Sequence, residues 1–128
     1  MINGNIQDFL DTGWYNEATL FYDGYIYWCE GYTDASTHLS TFFVDRWAAQ
    51  TQDYMHYSEI RLPDGSLKDY RRVFETSENS MDKIKRAFLQ APLFNGKSFW
   101  QIEKDIAWLD EGAPTQLSGE SLTDVTLE

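Results

Sequence analysis

Residues 91–98, with the sequence APLFNGKS, come closest in this chain to a nucleotide-binding motif. They match a relaxed phosphate-loop pattern, with alanine in place of the first glycine and with Gly96, Lys97 and Ser98 at the expected offsets. In a phosphate loop, backbone N–H groups cradle the phosphates, the lysine reaches the terminal ones and the hydroxyl holds magnesium. Such a loop follows a strand of a parallel sheet, whereas the residues before this motif have a helical pattern. We therefore predict a turn at Asn95 and Gly96, a helix cap at Ser98, and no cofactor.

The two histidines and the single cysteine form no second catalytic or metal-binding pattern. His38 and His56 are 18 residues apart, which is not the spacing of two zinc ligands on one helix. Cys29 lies within a strand pattern, where a buried, inert thiol is the default, and the chain lacks a Gly-x-Ser-x-Gly elbow. We therefore expect no enzyme activity and no metal site.

Acidic side chains dominate the first half of the chain. Residues 1–60 contain nine carboxylates and one base, Arg46, whereas residues 61–128 contain twelve carboxylates and nine bases. The first half thus carries −8 of the formal net charge of −11. A field of this sign repels nucleic acid and anionic membranes and attracts proteins whose surfaces bind a phosphate backbone. Composition therefore predicts a class of partner rather than a reaction.

A basic cluster interrupts this pattern around the turn predicted for residues 63–66. We expect it to neutralise part of the acidic half within the same molecule. Its members are Arg61, Lys68, Arg71 and Arg72.

The candidate contact residues lie on and around an aromatic hairpin. Asp23 and Gly24 form a strong hairpin-turn signal between strands predicted over residues 17–22 and 25–30. Both faces of this hairpin are rich in aromatic and aliphatic side chains. The register places Glu17 opposite Glu30, and this like-charged pair would suit a basic group of a partner. The predicted partner-binding residues are Glu17, Asp23, Glu30, Asp34, Asp45, Tyr25 and Tyr27.

Strand signals followed by helix signals predict an α+β fold. We expect a four- to five-stranded antiparallel sheet, with two C-terminal helices packed on one face and a short N-terminal helix. Beyond the hairpin, strands are expected over residues 41–47, 54–62 and 70–75, and helices over residues 5–10, 81–90 and 98–109. The predicted core consists of Phe21, Ile26, Trp28, Ile84, Phe88, Phe99, Trp100, Ile102 and Ile106.

Length and composition are those of one folded domain. The chain has 128 residues, of which 42% are hydrophobic, and we assign residues 1–111 to the domain and residues 112–128 to an acidic, disordered tail. A single cysteine excludes an intramolecular disulfide. The first residues lack the basic and apolar regions of a leader, and no apolar run reaches the roughly 20 residues of a membrane helix. These features predict a location in the cytoplasm of a bacterial host.

Size and charge together predict a small acidic inhibitor, encoded by a phage or mobile element, of the anti-CRISPR type. It would block a nucleic-acid-binding host defence protein by occupying its basic cleft in place of nucleic acid. The likeness to anti-CRISPR proteins is one of kind, without a shared motif. The alternatives are an immunity or antitoxin-like protein that caps a basic nuclease toxin, and a binding module that dimerises through its aromatic sheet face. Direct contact with nucleic acid or membrane is not expected.

Overall fold

The computed structural model describes residues 1–15, 17–50 and 58–109. Five antiparallel strands form one sheet in the order β4-β3-β2-β1-β5, which confirms the predicted α+β fold. The boundary predicted at residue 111 and the tail predicted over residues 112–128 lie outside the described ranges. The strands are β1 (Ala18–Tyr22), β2 (Tyr25–Thr33), β3 (Ser40–Ala48), β4 (Arg71–Glu78) and β5 (Ala107–Trp108).

The β1–β2 hairpin has the register that the sequence predicts. Tyr22 pairs with Tyr25, and the pairing continues without a shift back to the first residue of β1, where Ala18 pairs with Cys29. The two turn residues have φ values of 52° at Asp23 and 83° at Gly24. Positive φ at both central positions matches the twist of the flanking strands, and aspartate and glycine are the residues that adopt it most readily. The Asp23–Gly24 turn therefore sets the register of this hairpin.

Strand β4 is the edge strand predicted over residues 70–75, although it extends further, to Glu78, and pairs with β3. The strand predicted over residues 54–62 is only partly described. Within residues 58–62, Glu59 and Arg61 form isolated bridges, to Ala49 and Leu67 respectively, and belong to no named strand.

Two of the three predicted helices are confirmed. Helix α1 (Ile6–Asp11) begins after Asn5, whose side-chain oxygen accepts a hydrogen bond from the Asp8 amide at 3.0 Å. Helix α2 (Met81–Gln90) begins after Ser80, which caps the Lys83 amide. Both caps satisfy an N–H group that has no partner within its helix. No helix of the described ranges is long and apolar enough to cross a membrane.

The helix predicted over residues 98–109 is wrong beyond Ile102. Helix α3 (Phe99–Ile102) is a single turn, and Ala107 and Trp108 form β5 against β1. Residues 106–109 are all buried, and an apolar run of this length fits either a helical stripe or a buried strand. The extended conformation is favoured because it lets this segment form backbone hydrogen bonds with the edge of β1. The Leu109 amide, for example, donates to the Thr19 carbonyl at 2.9 Å.

The helices cover one face of the sheet and enclose the main core, which contains the buried residues Phe9, Trp14, Leu20, Tyr27, Phe42, Val44, Ile84, Phe88, Phe94, Phe99, Ile102 and Ile106. The core prediction needs three corrections. Trp100 is 52% exposed, because Phe99 and Ile102 occupy the inward side of the single turn α3. Phe21 and Ile26 belong to a smaller cluster on the opposite face of the sheet, since they alternate with the inward residues of their strands. Trp28, on that same opposite face, is only half-buried.

Candidate protein-binding site

The two ends of the sheet differ in charge. The described residues contain fifteen carboxylates and all ten bases of the chain. The positions of these charges on the surface therefore matter more than their net charge. The end with the Asp23–Gly24 turn holds Arg46 and Arg71, which pair in register at the adjoining ends of β3 and β4. The other end, where Thr33, Ser40 and Glu78 pair across β2, β3 and β4, is surrounded by carboxylates. We call it the acidic end and define it by Asp11, Glu17, Asp34, Glu78 and Asp82.

The β2–β3 loop presents Asp34 at the acidic end. The Asp34 carboxylate accepts hydrogen bonds from the Ser36 amide and hydroxyl at 2.8 and 2.7 Å, and from the Thr37 amide. The pKa of Asp34 is therefore below its usual value, chiefly because of the hydrogen bonds from Ser36. This carboxylate stays ionised to lower pH than an ordinary aspartate, so the loop keeps its negative charge in mildly acidic solution.

Glu17 and Glu78 lie at the ends of strands on the same side. Glu17 immediately precedes β1 with a φ of 51°, which ends the strand pairing there and leaves the side chain exposed. Glu78 is the last residue of β4 and pairs with Ser40. The predicted pair between Glu17 and Glu30 therefore does not form. The last pair of the hairpin is one residue earlier, between Ala18 and Cys29.

A cleft of about 320 Å³ opens beside these carboxylates, between the end of α1 and the start of α2. Asp11 and Asp82 line it, together with Lys85 and the rings of Trp14 and Tyr15. Carboxylates beside aromatic rings suit a guanidinium or ammonium group, which pairs with the former and stacks on the latter. The cleft could therefore accept a basic side chain of a partner.

Tyr15 reaches this position because β2 carries a glycine opposite its ring. A Cβ atom at Gly31 would lie 2.3 Å from the Tyr15 ring, so no other residue fits there without displacing the ring. The Tyr15 hydroxyl lies 3.5 Å from the Thr33 hydroxyl, and its ring stacks on Phe42. The fold thus fixes one aromatic wall of the cleft.

Large apolar side chains are also exposed at the acidic end. Tyr32 is 57% exposed, Leu39 is 40% exposed and Met81 is 39% exposed. Apolar groups surrounded by charged ones are typical of protein-binding surfaces, where they supply the anchors. Sequence reasoning missed all three. Leu39 lies in a polar loop, whereas Met81 belongs to the apolar pattern of α2, which predicts a buried rather than an exposed side chain.

Three predicted contact residues lie away from the acidic end. Asp23 sits in the hairpin turn at the opposite end and accepts a hydrogen bond from the Asn95 amide group at 3.0 Å. Tyr25 lies beneath the guanidinium of Arg46, 4.3 Å from its ring centroid. Tyr27 is fully buried, and burial raises the pKa of its hydroxyl. Because Tyr27 offers no surface to a partner, we remove it from the candidate site.

Glu30 and Asp45 lie on the sheet face that α2 and α3 do not cover. Glu30 accepts a hydrogen bond from the Trp28 indole at 2.9 Å. Asp45 is 8% exposed and binds Arg72 through both oxygens, at 2.8 and 3.2 Å. Arg72 in turn lies 3.9 Å above the Phe43 ring. Asp45 is therefore committed to an internal ion pair, and this pair confirms for Arg72 the neutralisation expected of the basic cluster.

Replacing Asp45 with asparagine should destabilise the fold by about 1–2 kcal/mol, because Arg72 loses two charge-assisted hydrogen bonds but can still reach water. We expect a lower melting temperature and unchanged partner binding. Glu75→Gln is the matched control, since Glu75 is exposed and contacts Arg72 at 3.2 Å. If both variants melt alike, the buried pair contributes nothing beyond a surface contact.

The remaining candidate chemistry is sparse. The described ranges contain no group of three or more metal-ligating side chains. His38 is exposed in the β2–β3 loop and Cys29 is buried within β2, whereas His56 lies outside the described ranges. Asn95 and Gly96 form the predicted turn, with φ values of 56° and 87°, between α2 and the single turn α3. The Ser98 amide donates to the Gln101 side chain at 2.8 Å, as the predicted cap requires.

Replacing Lys97 with alanine should change neither the melting temperature nor the response to ATP. The segment before Lys97 is a helix instead of a strand, so the geometry of a phosphate loop is absent from these residues. Calorimetric titration with ATP–magnesium is expected to give the same heats for both proteins, without micromolar binding that depends on Lys97. Micromolar binding that disappears in the variant would contradict this assignment.

Comparisons of the chain with protein-family models, with curated proteins and with solved structures gave no match.

Proposed function

We propose that this protein is a stoichiometric inhibitor that binds, through its acidic end, the basic nucleic-acid cleft of a host defence protein such as a CRISPR effector. The observation that supports this is the collection of five carboxylates and three exposed apolar side chains at one end of the sheet. Carboxylates there replace phosphates electrostatically, and Tyr32, Leu39 and Met81 provide the buried contacts that phosphates cannot. The proposed mechanism is competitive occlusion. Because the proposed partner is a bacterial defence protein, the proposed location is the bacterial cytoplasm.

The cleft between α1 and α2 supplies the specific part of this proposal. An arginine of the partner would pair with Asp11 or Asp82 and stack on Tyr15. Lys85 would increase the selectivity of the cleft, because it repels any cation that enters without pairing with Asp11 or Asp82. The site is therefore suited to a protruding basic side chain rather than to diffuse positive charge.

An immunity protein that caps a nuclease toxin is the second candidate, because it needs the same complementarity between an acidic and a basic surface. The two candidates differ in which enzyme is inhibited: a CRISPR effector in the first and a nuclease toxin in the second. A homodimer through the aromatic sheet face is a separate prediction, which light scattering at micromolar concentration checks.

The test is inhibition of DNA cleavage. The full chain is added to guide-loaded CRISPR effectors and, separately, to basic DNase toxins, and cleavage is followed against inhibitor concentration. We expect complete inhibition of one enzyme near a one-to-one ratio, and loss of inhibitor binding, measured by surface plasmon resonance, when that enzyme is first saturated with uncleavable target DNA. No inhibition across both panels, or undiminished binding of the inhibitor to the DNA-saturated enzyme, would contradict competitive occlusion.

A further inference from the structure

A second cleft, of about 230 Å³, lies at the end of the sheet opposite the acidic end. We call it the arginine cleft. Two strands and the turn after α2 form it, and the residues that line it are Arg46, Arg71, Val73, Pro92, Leu93, Asn95 and Gly96. In a chain with a net charge of −11, a cleft whose described lining contains two guanidinium groups and no carboxylate is unexpected.

Arg46 and Arg71 occupy directly paired positions of β3 and β4. Like charges at paired positions of neighbouring strands destabilise a sheet, unless an anion lies between them. Among the described residues, neither guanidinium forms an ion pair. Two other arginines of the basic cluster are neutralised, since Arg61 pairs with Glu59 at 2.6 Å and Arg72 pairs with Asp45 at 2.8 Å.

Arg46 is held in place by its neighbours. Its guanidinium lies over the Tyr25 ring, and one of its terminal nitrogens donates to the Asp69 carbonyl at 3.3 Å. Its Nε atom is buried and has no hydrogen-bond partner among the described residues. Tyr27 is the residue that faces Arg46 across β2 and β3, and its hydroxyl is likewise buried without a partner in that part of the chain. Unsatisfied buried donors of this kind are rare, and their presence beside a cleft indicates a missing acceptor.

The other walls leave room for a small ligand. Val73, Pro92 and Leu93 form an apolar side, whereas Asn95 and Gly96 form a tight turn. No described residue lies within 4 Å of the position that a Cβ atom would take at Gly96, and Gly96 is exposed. The volume exceeds that of a single phosphate group but is below the range of about 300–1,000 Å³ typical of drug-sized ligands.

We propose that the arginine cleft binds the phosphate group of a small phosphomonoester. Two guanidinium forks match the charge and the several oxygens of a phosphate dianion better than those of a carboxylate. The apolar side would contact the organic part of the ligand. Polyanions such as DNA are disfavoured, because the chain as a whole carries a net charge of −11. This site is separate from the acidic end and does not rest on the proposed inhibition.

The test uses the full chain labelled with nitrogen-15, titrated with glycerol 3-phosphate, inorganic phosphate and acetate at constant ionic strength. We expect both phosphates to shift the amide signals of Asn95 and Gly96, glycerol 3-phosphate at lower concentration than inorganic phosphate, and acetate to shift them little. Acetate binding as tight as that of the phosphates would overturn the assignment to a phosphomonoester, as would inorganic phosphate binding more tightly than its ester.

Variants then locate the site. Arg71→Gln should raise the dissociation constant for glycerol 3-phosphate at least tenfold, and its exposed position should leave the fold intact. Arg86→Gln is the matched control, because Arg86 is an exposed arginine on α2 that does not line the cleft. We expect its dissociation constant to equal that of the unmodified protein. Equal binding by all three proteins, or equal losses in the two variants, would overturn the proposal.

Discussion

Reversing the charge of two acidic-end residues and neutralising a third is expected to slow association with the inhibited enzyme by roughly 10- to 1,000-fold, the range over which electrostatic steering accelerates binding. The variant carries Glu17→Lys, Glu78→Lys and Asp34→Asn. Asparagine is chosen at position 34 because its side-chain oxygen can still accept the hydrogen bonds from Ser36 and Thr37. The loop should therefore keep its shape and lose only its charge. Stopped-flow association kinetics at several salt concentrations provide the measurement.

The chain offers a matched control. Asp64 forms the same type of turn as Asp34, with its carboxylate accepting from the Ser66 amide at 2.9 Å and from the Ser66 hydroxyl. The control variant combines Asp64→Asn with Asp69→Lys and Asp105→Lys, so that the change in total charge is the same. We expect its association rate to fall much less. An equal loss would mean that net charge, rather than the acidic end, governs binding.

The tail provides a second comparison. Reversing Glu120, Asp124 and Glu128 to lysine, or truncating the chain at Gly112, should leave binding largely unchanged, since we assign these residues no contact role. If truncation abolishes binding while the acidic-end variant binds normally, the proposed interface is wrong.

Replacing Ile106 with aspartate should unfold the domain. Ile106 is fully buried immediately before β5, where its carbonyl accepts a hydrogen bond from the Ile2 amide at 2.8 Å. Burying an unpaired carboxylate costs several kcal/mol, which is comparable with the 5–15 kcal/mol that stabilises a typical domain. We expect loss of the near-ultraviolet circular dichroism of the aromatic core and no cooperative melting transition.

Lys104→Asp is the control for this substitution, because it changes an exposed residue of the same segment. It should melt within a few degrees of the unmodified protein. If Ile106→Asp does the same, the packing of this segment against the core is incorrect.

The parts of the fold that the sequence predicted are those with local causes. The hairpin follows from Asp23 and Gly24, and α2 follows from a serine cap and apolar residues spaced three and four apart. Residues 106–109 have no such local cause, because their apolar run satisfies either element. Their conformation is set by hydrogen bonds to β1, more than 80 residues earlier in the chain. Non-local pairing of this kind cannot be inferred from a pattern within one segment.

The candidate site was only partly predictable for a similar reason. The density of acidic residues along the sequence groups Asp23 with Asp34 in one half of the chain. Strand β2 separates them by about 30 Å, at roughly 3.3 Å per residue. Conversely, Glu78 and Asp82 come from the second half and reach the acidic end through β4 and α2. The ends of the sheet, rather than the halves of the sequence, organise the charge.

The central claim is that the acidic end is the surface that contacts the inhibited enzyme, and amide hydrogen exchange of the complex tests it most directly. Exchange is compared between the free protein and the protein saturated with the enzyme that it inhibits. We expect slower exchange in residues 33–40 and 77–83, with little change around Asn95 and Gly96. Protection confined to the arginine-cleft end of the sheet, with residues 33–40 exchanging as in the free protein, would contradict the account.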